Sequence, residues 1–136
     1  MTMKNNLKRI VITGGAGFIG SNLSRKLLKE GAEKILIIDD LSTGKIKNIE
    51  DLMKLDEIEF IESRVEDVEN LNKTLSNFDF CFHLAAGVGV QYIMENVSKA
   101  LLTNIEATHL MIEACKVNNL PILITSTSEV YGVSND

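Results

Sequence analysis

Three glycines and one carboxylate carry the clearest chemistry in this sequence. Residues 9–20 read Arg9-Ile10-Val11-Ile12-Thr13-Gly14-Gly15-Ala16-Gly17-Phe18-Ile19-Gly20, an apolar run that ends in a G-x-x-G-x-x-G spacing and passes at once into a helical pattern. A strand that hands over to a helix in this way leaves the helix's first N–H groups without a carbonyl one turn earlier. Those donors and the positive end of the helix dipole converge on one point, a ready site for a pyrophosphate. Gly14 permits the tight turn, Gly17 lets the backbone approach the phosphates, and Gly20 lets helix and strand pack closely. The bland reading of such a motif is an ordinary turn. Context argues against it: a strand before, a helix after, and Asp39 closing the next apolar run, Ile35-Leu36-Ile37-Ile38.

A carboxylate at Asp39 falls where it accepts bonds from the ribose hydroxyls of an adenosine. The same charge repels a 2′-phosphate, so NAD is favoured over NADP. The alternative is that Asp39 and Asp40 merely cap a loop. Asp40-Leu41-Ser42-Thr43-Gly44-Lys45 reads as a polar turn whose hydroxyls reach the adenosine end, with Lys45 and Lys47 as solvated surface charges. His83 is the one tempting general base. Inside an apolar strand, however, a histidine is read as packed and hydrogen-bonded, since function must come from site geometry.

The elements that position these residues alternate along the chain. After a polar lead-in, Met1 to Lys8, strand one spans Arg9 to Thr13, its continuous apolar run suiting a strand covered on both faces. A helix follows from about Phe18 to Glu30. Ile19, Leu23 and Leu27 are expected to pack on the sheet while Arg25, Lys26 and Lys29 face water, and Gly31 stops the helix. Strand two is Lys34 to Asp39, and an amphipathic piece, Ile46 to Leu55, leads to strand three at Ile58 to Glu62. Asp67 is the expected N-cap of a helix from Val68 to Leu75, and strand four runs from Phe78 to Ala86. A long helix covers about Val97 to Val117. One apolar stripe takes in Leu101, Ile105, Thr108, Ile112 and Cys115, and a second surface takes in Leu102, Leu110, Met111 and Ala114. Two such faces suggest that one packs on the sheet and the other on a partner. Pro121 opens strand five, Ile122 to Thr125.

Repeated strand–helix units with right-handed crossovers predict an α/β fold: a Rossmann-like, doubly wound parallel sheet in three αβα layers, with strand order 3-2-1-4-5. In such sheets ligands bind beyond the carboxyl ends of the strands, at the switch point between strands one and four. The glycine turn, Asp39, Leu84 to Ala86 and Ser126 to Tyr131 all gather at that edge.

Composition bounds the alternatives. The 136 residues suffice for one domain with a real core, and 45% hydrophobic with 24% charged residues is an ordinary globular balance. A net charge of −5 argues against broad nucleic-acid or anionic-membrane binding. No apolar run approaches the roughly 20 residues of a membrane span, and no signal-peptide core is visible, so a cytoplasmic location is expected. Cys81 and Cys115 lack metal-ligand spacing and are read as reduced packing residues.

With these residues placed, the chain resembles the extended short-chain dehydrogenase/reductases, specifically NAD-dependent sugar-nucleotide epimerases, dehydratases and decarboxylases. The marks are Thr13 to Gly20, Asp39-Asp40-Leu41-Ser42-Thr43-Gly44, His83-Leu84-Ala85-Ala86, Thr103-Asn104 and Ser126-Thr127-Ser128-Glu129-Val130-Tyr131-Gly132, in family order across essentially the whole chain. The resemblance implies that Gly14, Gly17, Phe18, Ile19 and Gly20 cradle the NAD pyrophosphate and that Asp39 holds the adenosine ribose. Asp40, Ser42, Thr43, Gly44, Val65 and Ser126 complete the implied cofactor contacts, and Leu84, Ala85 and Ala86 line the path towards the nicotinamide. Asn104 looks like the helix asparagine that supports the active site. Thr127 matches the catalytic serine or threonine that bonds the sugar 4-hydroxyl. Ser128 and Glu129 sit where dehydratases and decarboxylases keep extra acid–base groups, although Glu129 reads equally well as a salt-bridged loop carboxylate.

The chain departs from the family pattern in three places. Arg64 stands where the family usually has an aspartate near the adenine, and Ala107 replaces the glycine after the helix asparagine. The catalytic Tyr-x-x-x-Lys is absent: Tyr131 is followed four residues later by Asn135, and Tyr92 by Asn96. In the family this motif lies on the next helix, and its tyrosinate is the base that starts hydride transfer. The first reading is therefore the NAD-binding, N-terminal part of a sugar-nucleotide enzyme, one domain over 1–136, truncated before the tyrosine helix and inactive alone. The alternative is a non-catalytic NAD-binding sensor or interaction module. Expected partners are a nucleotide-sugar substrate in the full enzyme and a second copy of the chain, since strand five would offer an unpaired edge and the long helix an uncovered face.

Overall fold

A computed structural model describes residues 7–86, 97–126, 130 and 132, with side chains in the long helix from 104 onward. Five strands, β1 (Arg9–Thr13), β2 (Lys34–Asp39), β3 (Ile58–Glu62), β4 (Phe80–His83) and β5 (Ile122–Ile124), form one sheet in the order β3-β2-β1-β4-β5. Every pairing is parallel, so the expected order and class are those observed. The helices are α1 (Phe18–Lys29), α2 (Leu71–Leu75) and α3 (Val97–Val117), with 3-10 turns at Ile46–Asn48, Leu52–Lys54 and Val65–Asp67.

The two faces of the sheet follow from the period of two in its central strands. Ile10, Ile12, Ile35 and Ile37 pack on one side with Leu27 of α1 and with Ile49 and Leu52 of the segment after β2. Val11, Leu36, Ile38 and Cys81 pack on the other with Val65, Leu75 of α2 and Ala107, Met111, Ala114 and Cys115 of α3. Both faces are covered, which is why these strands read as unbroken apolar runs rather than alternating ones. Register levels the carboxyl ends: Thr13 pairs with Ile38 and with His83, Asp39 with Glu62, and His83 with Ile124.

Several local expectations need correction. Ile19 does not pack on the sheet; it is 63% exposed, and α1 turns Gly20, Ser21, Ser24 and Leu27 inward instead. The reason is proximity. A Cβ at Gly20 would collide with the Gly14 carbonyl and the Gly15 Cα, so the start of α1 lies too close to the turn for large side chains. Arg25 faces water only in part and also grips the segment after β2. Asp67 does not cap a helix, because Val65–Asp67 closes a 3-10 turn that buries Val65; α2 begins at Leu71 after Asn70, whose φ is +51°. β4 is shorter than expected at both ends, since Phe78 and Asp79 precede the strand and Leu84 to Ala86 follow it.

In α3 the buried stripe runs through Ala107, Met111, Ala114 and Cys115, joining residues that the two expected apolar surfaces had divided. Small alanines either side of Met111 let the helix lie close over the sheet, and Ile105 and Ile112 stay exposed. Cys81 and Cys115 are free and buried in the same cluster, where the hydrogen bond with the Cys115 thiol and burial push the Cys81 thiol up.

This assignment of faces is testable by urea unfolding. Met111, fully buried, should lose about 2–5 kcal/mol on substitution by alanine. Ile112→Ala, at a side chain 40% exposed, should lose less than about 1 kcal/mol. Equal losses would mean that α3 sits on the sheet by a different stripe.

Candidate dinucleotide-binding site

The glycine turn is held from three directions. Gly14 adopts φ +71°, and its N–H donates to the Ile38 carbonyl of β2 at 2.8 Å. A Cβ there would stand 2.8 Å from the Ala85 nitrogen and 2.9 Å from the Leu84 carbonyl carbon, so the turn lies directly on the segment after β4. At Gly15 a Cβ would meet Ile37 Cγ2 at 2.5 Å. Gly17 differs: the one heavy atom close to its added Cβ is the Gly14 carbonyl oxygen, at 3.2 Å, leaving its outer side open. α1 has no side-chain cap at Gly17 and no acidic residue in its first turn. Its leading N–H groups are thus arranged for an external acceptor, and the neighbouring Phe18 is 83% exposed.

Asp39 is 7% exposed and holds two loops together. Oδ2 accepts the Ala16 N–H at 2.9 Å, and Oδ1 accepts the Leu41 N–H at 2.9 Å. An ionised carboxylate has about four lone-pair sites. Two of them are taken by these backbone N–H groups. Gly44 is required at the same place, because a Cβ there would lie 2.8 Å from Asp39 Oδ1. Asp40 is exposed and turned away into its own loop, accepting from Ser42 N–H at 3.0 Å and from Ser42 Oγ at 2.6 Å.

The groups that brace this turn carry no sequence signal. The Ala16 carbonyl accepts from Lys45 N–H at 3.1 Å and from Asn48 Nδ2 at 2.8 Å. Arg25 Nη2 donates to the Asn48 carbonyl at 2.8 Å, and Arg25 Nε and Nη2 reach the two Asp51 oxygens at 3.1 and 2.5 Å. That hydrogen bond holds the Asp51 carboxyl below its ordinary range. No spacing rule links Arg25, Asn48 and Asp51, and Asn48 carries no pattern of its own.

At the other end of the site, Thr13 Oγ1 accepts the Ala85 N–H at 3.1 Å and lies 2.7 Å from His83 Nδ1. His83 Nε2 lies 3.2 Å from Thr108 Oγ1. Both ring nitrogens are thus engaged, the side chain is 2% exposed, and burial lowers its pKa. His83 is a neutral strut between β1, β4 and α3, as the packed reading expected. Leu84 and Ala85 are half-buried and Ala86 is exposed beside the turn. Val65 turns its side chain into the core, so only its backbone is available to a ligand. Ser126 is exposed just beyond β5, and Asn104 is half-buried on α3. Thr127, Ser128, Glu129 and Tyr131 lie outside the described residues, as do the lead-in residues 1–6. Arg64 forms an ion pair with Glu66. Among the described residues no helix is long and apolar enough to cross a membrane.

A neutral histidine buried in the fold makes stability depend on pH. Its folded pKa is below the ordinary value of 6.5, so the unfolded chain takes up the proton first and stability falls as pH drops below that value. The thermal midpoint should decline between about pH 6.5 and pH 5. His83→Gln should flatten that decline; an unchanged slope would place the titration elsewhere.

The comparisons with known proteins converge on this geometry. Residues 11–136 match the family model described as GDP-mannose 4,6 dehydratase. The UDP-N-acetyl-alpha-D-glucosaminuronate decarboxylase of Bacillus cytotoxicus is 38% identical over 92% of this chain and 38% of its own length. Among solved structures, the UDP-N-acetylglucosamine 4-epimerase of Methanobrevibacter ruminantium, in complex with UDP-N-acetylmuramic acid, superposes with TM-score 0.85 at 35% identity, covering 95% of this chain and 41% of that one. The dTDP-glucose 4,6-dehydratase of Streptomyces venezuelae, solved with NAD bound, gives 0.85 at 27% identity over 94% of this chain and 42% of that one. The chain therefore spans about two-fifths of the length of these relatives. It belongs to the GDP-mannose 4,6-dehydratase family, within the NAD-dependent extended short-chain dehydrogenase/reductases that modify sugar nucleotides, and corresponds to their N-terminal part.

Proposed function

We propose that this chain is the NAD-binding portion of an enzyme that oxidises the C4 hydroxyl of a nucleotide-linked sugar and acts on the 4-keto product. One observation carries the reading: a buried carboxylate, Asp39, clamped beside an uncapped helix N-terminus, with acceptor sites left over for a diol. That set fits an adenosine ribose and a pyrophosphate at one edge of the sheet. NAD, when bound, supplies the hydride acceptor for the chemistry. The chain's own residues hold it: Gly14, Gly17, Phe18, Ile19 and Gly20 at the pyrophosphate, and Asp39 at the ribose. Asp40, Ser42, Thr43, Gly44, Val65 and Ser126 lie around these groups in the reading, with Leu84, Ala85 and Ala86 along the path to the nicotinamide.

Asn104 supports the active site in this reading. Thr127 bonds the sugar 4-hydroxyl, and Ser128 and Glu129 add acid–base groups that favour dehydration or decarboxylation over simple epimerisation. His83 takes no part as a base, being neutral and engaged at both nitrogens. Turnover is expected to need a tyrosine–lysine pair that this sequence does not contain. The protein is expected in the cytoplasm.

Calorimetric titration tests the nucleotide reading. NAD should bind saturably and NADP much more weakly. Asp39→Asn should cost NAD roughly 10-fold or more, the range of a hydrogen bond to a charged group, and should narrow the preference over NADP. A folded chain that binds neither dinucleotide would overturn the reading. The same proposal includes self-association through the exposed Ile105 and Ile112 of α3 and the apolar flank of β5, Leu123 and Ile124. Sedimentation should show a concentration-dependent mass; a sharp monomer at every concentration would contradict it.

A further inference from the structure

We infer that Asn48, gripped by Arg25, is a positioning residue that sets how the Asp39 carboxylate meets the dinucleotide, and with it the choice of NAD over NADP. The inference rests on the NAD-binding reading of the site.

Ala16 lies at the centre of the glycine turn and is completely buried. Its two polar backbone groups work in opposite directions. The N–H donates to Asp39 Oδ2 at 2.9 Å, and the carbonyl accepts from Asn48 Nδ2 at 2.8 Å. The Lys45 N–H adds a second bond to that carbonyl at 3.1 Å. A side-chain amide thus holds one side of the residue whose other side holds the carboxylate. With Leu41 N–H on Oδ1, the Asp39 carboxylate has one orientation and presents its remaining acceptor sites in one direction.

Asn48 is itself positioned from α1. Arg25 Nη2 takes the Asn48 carbonyl at 2.8 Å, Nη1 takes the Ser21 carbonyl at 3.2 Å, and the fork takes both Asp51 oxygens. Arg25 stands four residues beyond Ser21 on the helix whose N-terminus faces the phosphate site. One network therefore ties the two ends of the site together, running from α1 through Arg25, Asn48 and Ala16 to Asp39. The Arg25–Asp51 pair is largely exposed, with side chains 35% and 62% accessible, so as an ion pair alone it is worth little. Its planar fork fixes geometry where a single charge would not.

Losing the Asn48 amide leaves the Ala16 carbonyl on the Lys45 N–H alone, so Ala16, and with it the carboxylate on its N–H, can shift. NAD loses an aligned acceptor, while NADP is repelled less because the charge no longer faces the 2′ position. A purely structural brace would instead lower affinity for both dinucleotides alike. The test is calorimetric titration of the chain and of Asn48→Ala and Arg25→Lys with NAD and with NADP, alongside thermal midpoints. Asn48→Ala should weaken NAD by about three- to tenfold, the loss of one hydrogen bond, and reduce the NAD-to-NADP affinity ratio by about threefold. Arg25→Lys, which keeps a cation beside Asp51, should shift the ratio the same way by less, and it decides the matter should Asn48→Ala not fold. Variants that fold and keep the parent ratio overturn this inference while leaving the NAD reading intact. A parent chain that binds no NAD overturns both.

Discussion

The Asp39 carboxylate is the constraint on which the rest of the site depends. It is buried, so its charge must be met by donors, and those donors are backbone N–H groups from two separate loops. Satisfying it fixes the glycine turn against the end of β2 and starts the following loop at Leu41, whose φ of +58° is otherwise an unfavourable conformation for a branched residue. Gly44 then returns so close to the carboxylate that no side chain fits between them. A single carboxylate thereby meets three pieces of chain at one point, adding to the backbone bonds that already join them.

Close approach is the second theme, and it works on one side of the central strand. Gly14 against Leu84 and Ala85, Gly15 against Ile37, and Gly20 against Gly14 bring backbone to within contact of backbone or core side chain. Small residues on α1, Gly20, Ser21 and Ser24, continue that closeness along the helix. The consequence is electrostatic as well as steric. The nearer the helix start lies to the strand ends, the nearer its uncapped N–H groups lie to the end of β2. The opposite face of the sheet is held by bulk instead, with Leu75, Met111 and Leu120 filling the space over Val11, Leu36 and Ile38.

Polar groups also cross the core where the sheet meets α3. Thr13, His83 and Thr108 form a chain from β1 through β4 to the long helix, and the Ala85 N–H joins it. A neutral histidine suits this position because it can bond on both sides without bringing a charge that burial would oppose. The arrangement fixes the path of residues 84–86 past the glycine turn. A general base at this point would need an open nitrogen, and the geometry supplies none.

Much of this was legible in the sequence. The apolar runs ending in Thr13 and Asp39, the glycine spacing and the Pro121 entry to β5 determined the parallel sheet and its order, because strands buried on both faces and short right-handed crossovers leave few other arrangements. The place of Asp39 and the glycine turn at the carboxyl ends of β2 and β1 followed from residue type and strand order. Other features were decided by tertiary contact alone. Which stripe of α3 faces the sheet, and why Ile19 points outward, depends on how closely helix and strand pack, which periodicity does not encode. The grip of Arg25 on Asn48 and Asp51, and of Asn48 on Ala16, joins residues 23 to 32 positions apart through side-chain donors. Sequence spacing reports neighbours along an element; it is silent on which loop folds back to meet a buried carbonyl. The reason is physical: the Ala16 carbonyl needs a donor only once the fold has taken it out of water.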